Sequence, residues 1–131
     1  MPPEQNRLTR FAAERYLSLE TYRRTGQPVA TPVWFVIDRD LIYVYSLAVA
    51  GKVKRIRNNP RVRIAPCDVR GALKGAWMDA TARIVDESEA GPAQRLLVAK
   101  YGWQKRLFDL LRKIRPKPRA VIAIALSSAS P

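Results

Sequence analysis

The 131-residue sequence contains no histidine and a single cysteine, Cys67. Histidine and cysteine are the usual protein ligands of zinc and iron, so we expect no metal site. Their scarcity also excludes histidine-based acid–base catalysis and Ser–His or Cys–His nucleophiles. One cysteine cannot form an internal disulfide, which is compatible with a reducing cytoplasm. If the chain is an enzyme, a bound cofactor is expected to supply its chemistry.

Long apolar runs are also missing. The longest run, residues 120–126, is much shorter than the roughly 20 residues that a membrane-spanning helix needs. Residues 1–10 are polar and lack the apolar segment of a signal peptide. We therefore expect no membrane insertion and a cytoplasmic location.

Acidic residues are scarce: 11 Asp and Glu stand against 24 Lys and Arg, which gives a net charge of +13. Such an excess predicts a polyanionic partner. Nucleic acid, an anionic membrane surface, or a phosphorylated or polycarboxylate small molecule would each fit.

The pattern of apolar and turn residues predicts a single mainly β (α+β) domain over residues 1–131. A short helix is expected at residues 6–13, and a long helical stretch capped by Ser88 is expected to run to about residue 115 with a break near Gly102. Pro32 and Pro66 interrupt two strands, which indicates edge positions or a backbone that meets something other than a strand. Short antiparallel strands in this number are typical of a small barrel. The six predicted strands are residues 15–24, 29–37, 41–46, 61–67, 76–85 and 120–126.

Residues 51–60, GKVKRIRNNP, connect two of these strands and carry Lys52, Lys54, Arg55 and Arg57. If the connector forms a helix, its free N-terminal N–H groups would point toward the same anion as the cations. The alternative is a solvated basic turn without a ligand. Both interpretations stay open from the composition alone.

Four local patterns together resemble one family. They are T-P-V-W-F at 31–35, G-K-V-K-R-I-R-N-N-P-R-V at 51–62, A-P-C-D at 65–68 and K-Y-G-W-Q at 100–104. This combination resembles the split β-barrel flavin/deazaflavin oxidoreductases related to pyridoxamine-phosphate oxidases, and especially their coenzyme F420-dependent branch. The resemblance implies a six-stranded antiparallel split β-barrel. It also implies a homodimer with cofactor sites at the subunit interface and a small-molecule substrate.

The resemblance further implies which residues bind the cofactor. One strand segment would lie along the deazaflavin ring, the basic connector would hold the phosphate, and the A-P-C-D segment would lie near the ring or the ribityl chain. Two tryptophans would contribute from the partner subunit. The cofactor-binding residues implied in this way are Thr31, Pro32, Val33, Trp34, Ser46, Lys52, Lys54, Arg55, Pro66, Cys67, Trp77 and Trp103.

Coenzyme F420 is the cofactor favoured here, because its polyglutamate tail suits a surplus of Lys and Arg. Flavin mononucleotide (FMN) has the phosphate but lacks the tail and is the alternative. The resemblance implies hydride transfer between the deazaflavin C5 and a small organic substrate, and no catalytic residue is assigned. Tyr43, Tyr45 and Tyr101 could donate a proton, but a packed aromatic is the favoured interpretation of each.

Two other classes of function remain. A non-catalytic cofactor carrier would bind the same group without turnover. A nucleic-acid-binding barrel would use positive charge with exposed aromatics. The aromatics of this sequence fall mainly on apolar strands, so no nucleic-acid partner is expected.

Overall fold

A computed structural model describes residues 8–47, 50–102 and 119–127. A 3-10 turn at Thr9–Phe11 precedes the first strand, and all strand pairs are antiparallel. The sheet has the order β2-β1-β5-β6-β7-β4-β3, so β7 lies between β6 and β4. The elements are β1 (Tyr16–Tyr22), β2 (Pro28–Val33), β3 (Phe35–Asp38), β4 (Leu41–Leu47), α1 (Gly51–Asn58), β5 (Arg61–Cys67), β6 (Met78–Ile84), α2 (Glu87–Tyr101) and β7 (Arg119–Leu126).

The predicted mainly β fold, with a short helix after the third predicted strand, is confirmed. The number of strands was wrong: the sheet has seven, because the strand predicted at 29–37 is interrupted at Trp34. Its first half, β2, pairs with β1, and its second half, β3, pairs with β4. These halves form the two opposite edges of the sheet, so the chain passes from one edge to the other at Trp34. Pro32 lies on the edge strand β2, as its missing N–H requires.

Tyr101, at the end of α2, holds the chain at this interruption. Its hydroxyl accepts a hydrogen bond from the Phe35 N–H at 2.9 Å. Its own proton can go to the carbonyl of Arg15, at 2.7 Å, or to that of Phe35, at 2.9 Å. The Trp34 ring stacks on the Tyr101 ring with centroids 4.8 Å apart. One buried phenol therefore satisfies backbone groups that the sheet leaves unpaired.

The apolar side chains pack on both faces of the sheet. The inner face forms the main core, which includes Leu17, Leu19, Ile64, Ile122 and Ile124, and α1 adds Val53 and Ile56 to it. On the outer face, α2 covers β3, β4 and β7 with the second cluster. That cluster consists of Val36, Tyr43, Tyr45, Ala93, Leu97, Tyr101, Val121 and Ala123.

The helix caps differ from the prediction in one respect. The N-cap of α2 is Asp86, whose carboxylate accepts the Glu89 N–H at 3.2 Å. The predicted cap, Ser88, instead donates its hydroxyl proton to Asp86 at 2.6 Å. A carboxylate two residues earlier also complements the positive end of the helix dipole. Within the described residues α2 ends at Tyr101, and its predicted continuation to about residue 115 lies outside them.

Candidate functional site

The predicted basic connector is helix α1, and its side chains separate onto three sides. Val53 and Ile56 enter the core, with 0% and 3% of their surface exposed. Lys52 and Arg55 are half-buried and three residues apart, so they lie next to each other on the helix. Lys54 and Arg57 are exposed on the opposite side. The structure therefore brings together two of the three cations assigned to the phosphate and directs Lys54 to solvent.

Lys52 and Arg55 have no acidic partner among the described residues. Burial, and then the neighbouring Arg55, lower the pKa of Lys52. Burial, and then Arg23, lower the pKa of Arg55. Among the described residues, no carboxylate lies within ion-pair distance of Lys52 or Arg55. Lys52 lies in the first turn of α1, and the guanidinium of Arg55, a residue of the last turn, reaches back toward Gly51. Both charges are therefore near the helix N-terminus, where the helix dipole favours negative charge. Ala50, the N-cap residue, offers no side-chain acceptor. The local electrostatics therefore favour a bound anion.

The Arg55 guanidinium is held in place from β1. Its Nε donates a hydrogen bond to the hydroxyl of Thr21 at 2.6 Å, and Thr21 is fully buried. The guanidinium also lies against Gly51, the first residue of α1. A Cβ atom at Gly51 would be 2.7 Å from Nη1 of Arg55. A side chain at position 51 would thus displace the guanidinium from the helix N-terminus. This is a close approach that only glycine permits in the present arrangement.

The segment predicted to lie along a cofactor ring is edge strand β2 and the interruption that follows it. Pro32 is exposed, Val33 is 8% exposed, and Trp34 is half-buried. The hydroxyl oxygen of Thr31 is buried and has no hydrogen-bond partner among the described residues. An unsatisfied buried hydroxyl costs about 1–3 kcal/mol. A polar ligand atom reached by rotation of this side chain would recover that energy, which fits the polar edge of a flavin-type ring.

The remaining predicted site residues are dispersed. Ser46, 7% exposed, lies at the end of β4 shortly before α1. Cys67 is 1% exposed, and burial, followed by Asp68 and Glu14, raises the pKa of its thiol. The carbonyl of Pro66 accepts the Lys74 N–H at 2.8 Å, so the backbone there meets the loop that follows β5. Trp103 lies outside the described residues.

Trp77 lies under the Arg63 guanidinium, whose Cζ is 5.0 Å from the ring centroid. Arg63 also donates to the nearly buried Glu20 carboxylate at 2.8 Å, and the Tyr22 hydroxyl donates to the same oxygen at 2.9 Å. Burial alone would raise the pKa of Glu20, but the bonds from Arg63 and Tyr22 outweigh it and lower that pKa below 4.5. Trp77 therefore belongs to a polar cluster centred on Glu20.

A lowered pKa means that Glu20 contributes stability above the unfolded-state pKa and that this contribution disappears as the pH falls through the folded-state value. We expect Glu20→Gln to lower the free energy of unfolding by about 1 kcal/mol at neutral pH, since Arg63 is partly solvated. The loss should diminish as the pH falls from the unfolded-state pKa of Glu20 through its lower folded-state pKa. Urea unfolding at several pH values measures it. Glu14→Gln, which removes a more exposed ion pair with Lys74, should change stability by less than about 0.5 kcal/mol; an equal effect would contradict the assignment.

The tyrosines considered as proton donors are engaged elsewhere. Tyr43 donates its hydroxyl proton to Glu89 at 2.7 Å, and burial with this carboxylate raises its pKa to about 12. Burial likewise raises the pKa of Tyr101 to about 12. Two hydrogen bonds from Arg83 complete the Glu89 cluster, at 2.9 and 2.8 Å. Both phenols are weak acids with structural partners.

Sequence reasoning missed Thr21 and Arg23 as parts of the cationic site. The alternation in β1 places Thr21 on the same side as Leu17 and Leu19, which identifies it as an inward-facing residue. Thr21 is a polar residue at the end of this inward-facing row, and that position was the signal from which its role could have been predicted. Arg23 follows β1 directly and carried no comparable pattern.

An antiparallel sheet whose two edge strands are joined at Trp34 is a small split β-barrel, and here it carries two neighbouring cations on α1. A family model described as pyridoxamine 5'-phosphate oxidase matches residues 3–130. The chain therefore belongs to the pyridoxamine 5'-phosphate oxidase family. No curated protein sequence matches it significantly.

Solved structures share the fold at low sequence identity. The heme storage protein HutZ from Vibrio cholerae superposes with a TM-score of 0.72 at 18% identity, over 95% of this chain and 91% of that one. A conserved hypothetical protein from Mycobacterium tuberculosis gives 0.71 at 22% identity, over 98% and 82%. An F420 reductase gives 0.59 at 16% identity, over 92% and 93%. Such identities establish the fold alone.

Among the described residues, no helix is both long and apolar enough to cross a bilayer. The same residues contain no group of three or more Cys, Asp or Glu side chains placed to hold a metal ion.

Proposed function

We propose that the protein is a coenzyme F420-dependent oxidoreductase that acts on a small organic substrate. The observation that carries the proposal is the pair Lys52 and Arg55, desolvated and without a described carboxylate partner at the N-terminus of α1. Two cations and free helix N–H groups form a site for a phosphate rather than for a neutral ligand. The similarity to an F420 reductase fold supports the choice of cofactor.

The residues present fit this cofactor at three places. Lys52 and Arg55 would bind its phosphate, and the unpartnered Thr31 hydroxyl would bind the polar edge of its ring. The exposed Lys54 and Arg57 would attract the polyglutamate tail. When bound, the deazaflavin supplies hydride transfer at C5. The protein's own part would be to orient the ring along β2 and to exclude water from it.

The proposal includes a homodimer with the sites at the interface. Support comes from β2, whose outer edge has no strand neighbour among the described residues, although β2 carries Thr31 and ends directly before Trp34. A second copy placed against this edge would cover the exposed side of the ring. Light scattering of the purified protein tests the dimer separately from cofactor binding.

Titration of the apoprotein with F420, followed by fluorescence polarisation, tests the function. We expect saturable binding at micromolar or lower concentration, with weaker binding of FMN because FMN lacks the acidic tail. Tight FMN binding and a yellow purified protein would favour the FMN-dependent alternative. No F420 binding at micromolar concentration would contradict the proposal.

A non-catalytic carrier is the second candidate, and the engaged tyrosines favour it. Tyr43 and Tyr101 both have pKa values raised to about 12, so neither phenol is a ready proton donor. A carrier should bind F420 tightly and show no turnover of the reduced cofactor with any acceptor in a panel. Storage of heme, as in the HutZ name, would have to proceed without histidine ligands, because the chain has none.

A further inference from the structure

A second candidate site lies on the outer side of β3, away from α1. It is a groove of about 450 Å³ between the 3-10 turn and β3. Its floor is apolar and is formed by Leu8, Ala12, Val36 and Ile37. Two cationic residues, Arg39 and Lys100, also line it. None of these residues belongs to the proposed cofactor site.

Lys100 places a half-buried ammonium group at this groove. Its Nζ is 3.5 Å from the centroid of the Phe35 ring and 5.3 Å from that of Tyr101. No described carboxylate forms an ion pair with it. Burial, and then Arg15, lower its pKa to about 8, while Glu14 acts in the opposite direction. The aromatic faces compensate only part of the lost hydration, so an anion would be stabilised here.

Arg39 reaches the groove from an unfavourable backbone position. It lies in the two-residue turn between β3 and β4 and has φ of 60°, alone among the described non-glycine residues in that region. Glycine, asparagine or aspartate would adopt this conformation more readily. An arginine held there at an energetic cost is the kind of backbone outlier that accompanies a ligand site.

We propose that this groove binds an amphiphilic carboxylate, with its carboxylate between Lys100 and Arg39 and its apolar body on the floor formed by Leu8, Val36 and Ile37. The charge complementarity selects an anion, and the apolar floor selects against a purely hydrophilic one. The site is independent of the cofactor. It can therefore be tested whether or not the cofactor assignment holds.

Isothermal titration with decanoate, below its micelle concentration, tests the proposal, with decanol as the uncharged probe. We expect saturable decanoate binding that is at least tenfold tighter than decanol binding. Lys100→Met keeps the apolar stem and should weaken decanoate binding at least tenfold. Lys54→Met removes the same charge from exposed α1 and should change it less than twofold. Arg39→Gly should weaken it severalfold while it keeps or raises the thermal midpoint, because the strained φ is relieved.

The pH dependence gives a second readout. Bound carboxylate favours protonated Lys100, so decanoate affinity should fall as the pH rises from 7 to 9 and should stay flat in Lys100→Met. Arg15, Glu14 and Tyr101 are the titratable groups that face Lys100. Equal weakening by Lys54→Met and Lys100→Met would mean general charge attraction and would overturn the proposal. Decanol binding as tight as decanoate would overturn it too. So would binding of an acidic peptide without any binding of decanoate, which would assign the groove to a protein partner.

Discussion

Arg55→Ala and Lys52→Ala are each expected to weaken F420 binding by roughly 10–100-fold, since a charge-assisted hydrogen bond contributes about 1.5–3 kcal/mol. Arg55 should show the larger effect, because Thr21 and Gly51 already hold its guanidinium at the helix N-terminus. Fluorescence polarisation of the cofactor measures both. Urea unfolding of the apoproteins should show Lys52→Ala unchanged or slightly stabilised, because it removes like-charge repulsion. Arg55→Ala should lose about 1 kcal/mol, because the buried Thr21 hydroxyl loses its bond from Arg55.

Arg57→Ala is the matched control for these variants. Arg57 carries the same charge on the same helix but points to solvent, so its loss should weaken F420 binding less than threefold, in line with a screened surface charge of about 0.5 kcal/mol. Lys54→Ala should behave in the same way. If Arg57→Ala proves the most damaging substitution, the phosphate lies on the other side of α1 and the assigned site is wrong.

Tyr101→Phe is expected to lower the free energy of unfolding by about 2–3 kcal/mol. The substitution keeps the ring that stacks on Trp34 but removes the only described acceptor of the Phe35 N–H. A buried backbone donor without a partner costs about 1–3 kcal/mol, and the carbonyls of Arg15 and Phe35 lose a donor as well. The midpoint of urea unfolding should fall while its slope stays constant.

Tyr16→Phe serves as the control for Tyr101→Phe. Tyr16 is partly exposed on β1 and belongs to neither core cluster, so loss of its hydroxyl should change stability by less than about 0.5 kcal/mol. Near-ultraviolet circular dichroism should show the Trp34 environment altered in Tyr101→Phe alone. Equal stability of the two variants would mean that the phenol does not hold the strand interruption.

Local alternation was enough to predict β1 and β6 to within two residues, because polar and apolar side chains alternate along both. The strand β4 was predicted to the same precision from its Tyr and Val content. The interruption at Trp34 was not predictable in this way. Residues 33–37 are apolar throughout, so they carry no period that marks a change of partner. Both β2 and β3 pair with a neighbour in sequence, β1 and β4. The separation of these two hairpins to opposite edges of the sheet depends on β5, β6 and β7, which lie between them and come later in the chain.

The sequence predicted which segment carries the candidate site, but it did not predict how the side chains of that segment are arranged. The composition of residues 51–57 locates four cations, but only the phase of α1 separates Lys52 and Arg55 from the exposed Lys54 and Arg57. Thr21 contacts Arg55 from a position 34 residues earlier in the chain. The N-cap of α2 was also not predictable from the sequence. Asp86 and Ser88 are both good N-cap residues, and only the folded structure shows that Asp86 takes this position.

The position of β7 has a consequence for synthesis of the chain on the ribosome. β4 leaves the ribosome well before β7, the strand that fills the gap between β4 and β6. At about 5–20 residues per second, the apolar edge of β4, LIYVYSL, stays unpaired for on the order of ten seconds. Uncharged segments rich in β-branched and aromatic residues are prone to intermolecular pairing during such an interval. Nascent chains of this protein should therefore depend on chaperones that bind extended apolar segments until residues 119–126 emerge.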